Sequence, residues 1–293
     1  MPLLVILGIN GRQGTSVANA FLSIPGWTIR GLTSLPSCER SRQWLARGVE
    51  IVQVDLMSEL SIRTAFANAT AIFAVTDYYA TFHNPSTRIV ASVHGTTVAD
   101  FAFHIEKRIG YSILEAAADV DSLERFVWST LPYMPERQAP NKRGHRMVMS
   151  RWETAAYARY FPELAAKTSF LKPGLRMEDY GVVLKESEDG AFTFGTTAPA
   201  NSRLPWTCVA NDVGMFVRTL ILNLPPRQDL AALSQWLSGT EICTLFTAIS
   251  GITCTYQQFT HVEMEALFPT GHIFADILNY TKNFQYYEPV VGG

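Results

Sequence analysis

The chain has 293 residues, 47% hydrophobic and 17% charged, with 24 Lys and Arg against 26 Asp and Glu and a formal net charge of −2. That composition is globular and excludes a disordered or membrane-embedded chain, and the scattered, nearly balanced charge gives no reason to expect a nucleic-acid partner. The length suits one large domain, or one nucleotide-binding domain with a smaller lobe attached.

Leu3 to Leu7 is a short apolar run, the pattern of a parallel strand covered on both faces. It ends at Gly8, and Val17, Ala18, Phe21 and Leu22 then recur at helical spacing until Pro25-Gly26. Trp27 to Leu32 reads as the second strand, Glu39 to Arg47 as a helix, and Glu50 to Val54 as a third strand running into Asp55. A helix over Ile62 to Ala69 and a strand over Ala71 to Thr76 follow. Asn84 to Gly95 reads as a loop, Val98 to Ala118 as a helix, Phe126 to Ser129 as a fifth strand, and Leu131 to Arg146 as a mobile loop. Ser150 to Tyr160 is helical, and Thr168 to Leu171 is a sixth strand ending in Lys172-Pro173-Gly174. Beyond it the alternation weakens. Phe192 to Gly195 reads as part of a hairpin, Val209 to Asn223 as a helix, and Tyr256 to Tyr287 as mixed helix and loop. The pattern predicts a Rossmann-type, doubly wound α/β sheet over 1–174, part of it completed by later segments. A smaller mixed lobe over 175–293 follows without a clean linker.

The four cysteines at 38, 208, 243 and 254 form no C-x-x-C pair and have no histidine at ligand spacing. Free thiols in a reducing compartment and no metal site are expected. The opening MPLLVILG lacks a basic n-region and a cleavage site, and no apolar run reaches the roughly 18 residues of a membrane span. A cytoplasmic protein without a membrane partner is expected.

A dinucleotide pyrophosphate needs backbone N–H donors, close approach and the positive end of a helix dipole. Gly8, Gly11 and Gly14 supply these: the first for the tight turn, the second for approach, the third for packing of helix on strand. An acid that would accept from the ribose of NAD is missing at the end of the second strand, where Thr33-Ser34-Leu35 stands. With Arg12 in the turn and Arg40 nearby, the cofactor expected is NADP(H). Asp55 either accepts from the adenine amino group or caps the next helix.

GINGRQG, GLTS, VQVDL, IFAVTDYY, ERFVWSTLP and LKPGLRME together resemble the NmrA-like family of atypical short-chain dehydrogenases, from about Leu3 to the YYEP near the end of the chain. The resemblance implies that Gly8, Gly11, Arg12, Gln13 and Gly14, with Asn10 and Ser34, bind NADP(H). It also sets Asp55 at the adenine, Thr76 at the nicotinamide side, and Pro173 and Gly174 where the chain passes the nicotinamide. The chain departs from the family twice. Ser34 stands where many relatives carry arginine, and Arg151 stands where relatives commonly carry lysine, so Arg151 can hydrogen-bond a ribose but cannot donate a proton.

None of the six lysines has a tyrosine four residues before it, so the usual acid pair of short-chain dehydrogenases is missing. Carbonyl reduction creates an alkoxide and wants a general acid, whereas reduction of an iminium carbon does not. The expected reaction is therefore oxidation or reduction at a C=N or amine centre of a bulky apolar small molecule. Tyr78, Tyr79, Phe82, Trp128, Tyr133 and Trp152 cluster at strand ends and loops as a candidate aromatic pocket, Trp128 alternatively as core. Asp77 and Glu178 are candidates to pair with a substrate ammonium, or are surface loop acids. His104 and Ser129 are further candidates for handling protons, or are structural. The basic segment Lys142 to Arg146 either closes over a ligand or is a solvated loop. Asp77, Tyr78, Tyr79, Tyr133 and Arg151 form the candidate catalytic set. The family contains both enzymes and regulators that sense NADP(H) and bind a transcription factor, and in fungi it serves secondary metabolism. Redox-coupled cyclisation of an alkaloid, of Diels–Alder type, extends the enzyme reading.

Overall fold

The structure, a computed structural model, describes residues 1–134, 143–267 and 270–283. The chain runs through β1 (Leu3–Leu7), α1 (Arg12–Leu22), β2 (Thr28–Thr33), α2 (Glu39–Ala46), β3 (Glu50–Gln53), α3 (Glu59–Phe66) and β4 (Ala71–Ala74). Three helices follow, α4 (Tyr78–Phe82), α5 (Pro85–Val93) and α6 (Val98–Ala118), and then β5 (Arg125–Ser129). Next come α7 (Arg143–Tyr157), α8 (Pro162–Lys167), β6 (Thr168–Pro173), β7 (Leu175–Arg176), β8 (Leu184–Glu186), β9 (Phe192–Thr196) and β10 (Leu204–Thr207). A π-helical turn at Val209–Val213 leads into α9 (Gly214–Leu222). The chain continues with β11 (Asp229–Ala232), β12 (Gln235–Leu237), α10 (Gly239–Ser250), β13 (Cys254–Gln258), α11 (His261–Leu267) and α12 (Gly271–Asn283).

The chain divides into two compact units, the larger being Met1–Leu131, Met149–Pro173 and Val209–Ala232. Its sheet has seven strands in the order β11-β6-β5-β4-β1-β2-β3, all paired in parallel. β1 shows why its run is apolar throughout. Leu4 and Ile6 enter one core with Val17, Phe21, Val213 and Val217, and Val5 and Leu7 enter the opposite core with Ile62, Phe66, Ile113 and Trp128. The strand order reverses between β1 and β4, and the crevice at the carboxyl ends of those strands is where doubly wound sheets take ligands.

The smaller unit comprises the described residues of Pro132–Val148, Gly174–Cys208 and Leu233–Gly293. It has two three-stranded sheets, β12-β10-β7 and β13-β9-β8. Phe194, Trp206, Leu237, Met264 and Leu278 form its core. The chain returns to the larger unit at Val209–Ala232, where β11 pairs with β6, so a later segment completes the sheet.

Several elements differ from their sequence expectation. Residues 84–95 are not a loop but hold α5, capped by Asn84, whose Oδ1 accepts from Ser86 N at 3.0 Å. Its buried side chains, Thr87 and Ala91, are small and only partly apolar, while Ile89 and Val93 are exposed, so the helical period is weak. The expected loop over 131–146 gives way to α7 at Arg143, and 135–142 lie outside the described residues. α10, not expected from the sequence, is fixed by a capping box of Ser238 and Glu241 and by left-handed Gly251. The mixed stretch expected from Tyr256 begins inside β13 and continues through α11 and α12, while 268–269 and its end at 284–287 lie outside the described residues.

α1 and α9 touch through backbone. Gly214 N–H donates to Ser16 Oγ at 2.9 Å, and a Cβ at Gly214 would lie 2.1 Å from the Ser16 carbonyl oxygen. Gly214→Ala is expected to lower unfolding free energy by about 1–3 kcal/mol in urea titration, as overpacking does; an unchanged midpoint would contradict this contact.

Candidate functional site

The turn after β1 is built around two short backbone approaches. Gly8 adopts φ +66°, which glycine tolerates, and Gly11 N–H donates to Gly8 O at 2.8 Å. A Cβ at Gly14 would lie 2.3 Å from that same oxygen, so the first turn of α1 lies directly against the turn. The N-cap of α1 is Gly11, with no side-chain hydrogen bond at the cap and no acid in the first turn. The helix thus presents its N-terminal amides and positive dipole end to an anion.

One half of the crevice lies at β2. Asn10 Nδ2 reaches Thr33 Oγ1 at 3.1 Å, Ser41 Oγ at 2.8 Å and Cys38 Sγ at 3.4 Å, tying the turn to the end of β2 and the start of α2. Arg40 Nη1 donates to the Asn10 carbonyl at 2.8 Å, so this guanidinium is fastened beside the turn rather than being a loose helix charge. Arg12, Ser34 and Arg40 are exposed. Hydrogen bonds with Ser41, first through its side chain and then through its backbone, hold the Cys38 thiol below its ordinary range. Asp55 is exposed, and its Oδ1 accepts from Met57 N at 2.9 Å. The cap of α3 is Ser58, which corrects the helix-cap alternative for Asp55.

The other half lies at the ends of β4 and β5. Ser129 Oγ donates to Gln13 Oε1 at 2.8 Å, joining β5 to the glycine turn and giving Ser129 a structural contact. Thr76 Oγ1 donates to Glu106 Oε1 at 2.7 Å, Arg151 Nε donates to the same oxygen at 3.1 Å, and Ser150 Oγ donates to Glu106 Oε2. Arg151 Nη2 also donates to the Thr76 carbonyl at 3.1 Å. Burial opposes the charge on Arg151, and the Glu106 carboxylate outweighs that, so its pKa is raised above the ordinary guanidinium value. Gly110 lets α7 come close to α6, because a Cβ there would lie 2.5 Å from Thr154 Cγ2. Glu106 escaped the sequence reading, although it was findable: it falls on the α6 stripe of Ala102, Phe103, Gly110, Ile113 and Leu114, and an acid on a buried stripe needs a partner.

The residues of the expected aromatic pocket differ in burial. Tyr78 is 0% exposed, its hydroxyl donates to Ala99 O at 3.1 Å, and Phe82 stacks on its ring, so Tyr78 is core and not a catalytic group. Trp128 is likewise core, on the α6 side of the sheet. Tyr79 is half-buried and stacks on His83, Trp152 is half-buried on α7, and His104 is exposed on α6. Asp77 is exposed and caps α4, its Oδ1 accepting from Tyr79 N and Ala80 N at 3.0 and 3.2 Å. Pro173 is buried at the end of β6.

In the smaller unit, Tyr133 is 39% exposed and its carbonyl accepts from the Tyr280 hydroxyl, a phenol that burial pushes up to about 12. Gly174 N–H donates to Thr207 Oγ1 at 2.8 Å, and Glu178 lies in a 3-10 stretch, half-buried. In the basic segment, Lys142 lies outside the described residues; Arg143 to Arg146 form the first turn of α7, with His145 buried, so this part is not a solvated loop. An apolar cavity of about 210 Å³ is lined by Met177, Trp206, Leu237, Ile242, Leu245 and Phe246. It falls below the roughly 300–1,000 Å³ usual for small-molecule sites. Among the described residues no group of three or more His, Cys, Asp or Glu side chains could hold a metal ion, and no helix is long and apolar enough to cross a membrane.

The sequence profile of the NmrA-like family matches residues 2–291. The NmrA-like family domain-containing oxidoreductase FrzB of Cladobotryum sp is 24% identical over 272 residues, covering 87% of this chain and 75% of that protein. The crystal structure of NmrA, a negative transcriptional regulator, in complex with NADP superposes with TM-score 0.72 at 17% identity, covering 94% of this chain and 82% of the other. The Citrobacter sp. triphenylmethane reductase, complexed with NADP(H), gives TM-score 0.69 at 14% identity, covering 98% and 92%.

Tyr78→Phe removes one buried hydroxyl whose contact is structural. The protein is expected to lose about 1 kcal/mol of stability in denaturant titration and to bind NADPH as the unaltered chain does; weakened binding would return Tyr78 to the site.

Proposed function

The chain belongs to the NmrA-like family, and from that premise we propose that it is an NADP(H)-dependent oxidoreductase of a bulky, largely apolar secondary metabolite, acting at a C=N or amine centre. The observation that carries the cofactor half is the bare N-terminus of α1 held against Gly8, an approach that a Cβ at residue 14 would block. Gly8, Asn10, Gly11, Gln13 and Gly14 would hold the pyrophosphate, and Asp55 the adenine. Arg12 and Arg40 would hold the 2′-phosphate beside Ser34, two guanidiniums taking the place of a single arginine at that position. Thr76, Arg151 and Pro173 would line the nicotinamide half. When bound, the dinucleotide supplies or takes up the hydride equivalent of the reaction.

What the chain's own residues offer there is charge and shape. Arg151 stays cationic, because Glu106 raises its pKa, so it holds a hydrogen bond and does not release a proton. Without a tyrosine–lysine pair, a reaction that leaves no oxyanion to protonate is the better match. Asp77, exposed next to Thr76, adds negative charge that favours a cationic iminium or ammonium. The likeness to FrzB supports an oxidoreductase, and a reductase named for triphenylmethane compounds supports a bulky aromatic substrate class.

A second reading is favoured by the likeness to NmrA: a regulator that binds NADP(H) without turnover and docks on a transcription factor. Incubation with cyclic amines and imines separates the two, following reduced-cofactor absorbance together with product mass. Substrate-dependent conversion supports the enzyme. Redox-coupled cyclisation, in which the reducing equivalent returns to the rearranged substrate, shows as a new product without net absorbance change. Tight NADPH binding with no product across the panel would overturn the enzyme reading in favour of the regulator.

Two substitutions test the cradle. Gly14→Ala is expected to abolish measurable NADPH and NADH binding by fluorescence titration. Arg40→Ala is expected to weaken NADPH by roughly tenfold or more, as loss of a charge-assisted hydrogen bond does, and to leave NADH within about twofold; equal weakening of both would assign Arg40 to the turn's structure instead.

A further inference from the structure

Glu106 is 2% exposed, and its carboxylate accepts from the Thr76 hydroxyl, the Ser150 hydroxyl and the Arg151 guanidinium. The elements that meet there are α6, the residues just past β4, and α7. Arg151 is not used up by this network. Nε serves Glu106 and Nη2 serves the Thr76 carbonyl, while Nη1 has no hydrogen-bond partner among the described residues and the side chain keeps 14% of its surface open. A purely structural ion pair of this depth is a poor investment, because hydrophobic packing of the same volume often stabilises as well or better.

We propose that Glu106 is a positioning residue of the site: it fixes the Arg151 guanidinium at the end of β4 and cancels its charge, so that the nicotinamide half of the cleft accepts a cationic ring. The inference rests on the cofactor reading above and goes beyond it. By the strand order, the end of β4 belongs to the second half of a doubly wound sheet, across the switch point from the adenine half. The oxidised nicotinamide ring carries one positive charge and the reduced ring none. A lone Arg151 cation would therefore penalise the oxidised form. Paired with Glu106 it does not, and the hydrogen-bonding edge of the guanidinium remains available to the ligand.

The pairing predicts effects of opposite sign that general loss of structure would not produce. The readout is the ratio of Kd for NADP⁺ to Kd for NADPH, by calorimetry and fluorescence titration on the full chain. Glu106→Gln leaves the cation uncompensated and is expected to raise that ratio by about tenfold, equivalent to raising the bound couple's midpoint potential by about 30 mV. Arg151→Met leaves the carboxylate uncompensated, still held by the Thr76 and Ser150 hydroxyls, and is expected to lower the ratio. The double variant Glu106→Gln with Arg151→Met is neutral again and is expected to return the ratio to within about twofold of the unaltered chain, even where both affinities have fallen. If Glu106→Gln does not fold, Arg151→Met and the double variant still decide the sign. Equal weakening of both cofactor forms, or a ratio that does not move in any variant, would overturn the inference and leave the cofactor reading standing. An unaltered chain that binds neither form would overturn both.

Discussion

A methyl group at residue 14 would sit 2.3 Å from the Gly8 carbonyl oxygen, and the absence of that methyl sets how closely α1 can lie against the end of β1. Much of the larger unit is arranged around this approach. Because α1 lies so close, Val17 and Phe21 share one core with Leu4 and Ile6. Gly214 then lets α9 lie against α1, again through a contact with backbone, and Val217 joins the same core. The N-cap, Gly11, has no side chain, so the first amides of α1 carry no side-chain cap. The packing of α1 and the openness of its first amides thus rest on two glycines three residues apart in one turn.

The two halves of the crevice are held by different means. On the β2 side a fan of contacts, part-buried from Asn10 to Thr33, Ser41 and Cys38 and exposed from Arg40 to the Asn10 carbonyl, fastens the turn to β2 and α2. Each is worth little alone, and the arrangement can give way to a ligand phosphate without breaking the core. On the other side a single buried carboxylate gathers three donors, and leaving any of them unpaired is costly. The first half is suited to selecting a cofactor, the second to holding fixed geometry where chemistry would occur.

The larger unit was legible because its strands are buried on both faces and its glycine turn follows the first of them, so periodicity and motif agreed. β1, β2 and α6 came out within a residue of their expected bounds. What escaped depended on information a local pattern lacks. α5 buries only small side chains, so its apolar period is faint. Tyr78 stands at the end of a strand, where a site aromatic is expected, but it lies one step into α4 and its ring points into the core. Direction, not identity, decided its role. Glu106 was hidden by distance: its partners lie 30, 44 and 45 residues away, and only the closeness of α6 and α7 at Gly110 brings them together.

The absence of the tyrosine–lysine pair therefore has a structural counterpart. Where a lysine ammonium could exchange protons, this chain sets a guanidinium whose charge is fixed from both sides: its own high pKa, and a carboxylate that raises it further. Such a group cannot serve as a general acid, and converting it would require both a lysine and release of Glu106 from its three donors. A site of this kind distinguishes ligands by where their charge lies rather than by which proton they need. Under the proposed reading, that requirement would be the same for an oxidised nicotinamide and for an iminium substrate, and a single buried carboxylate would bear on both.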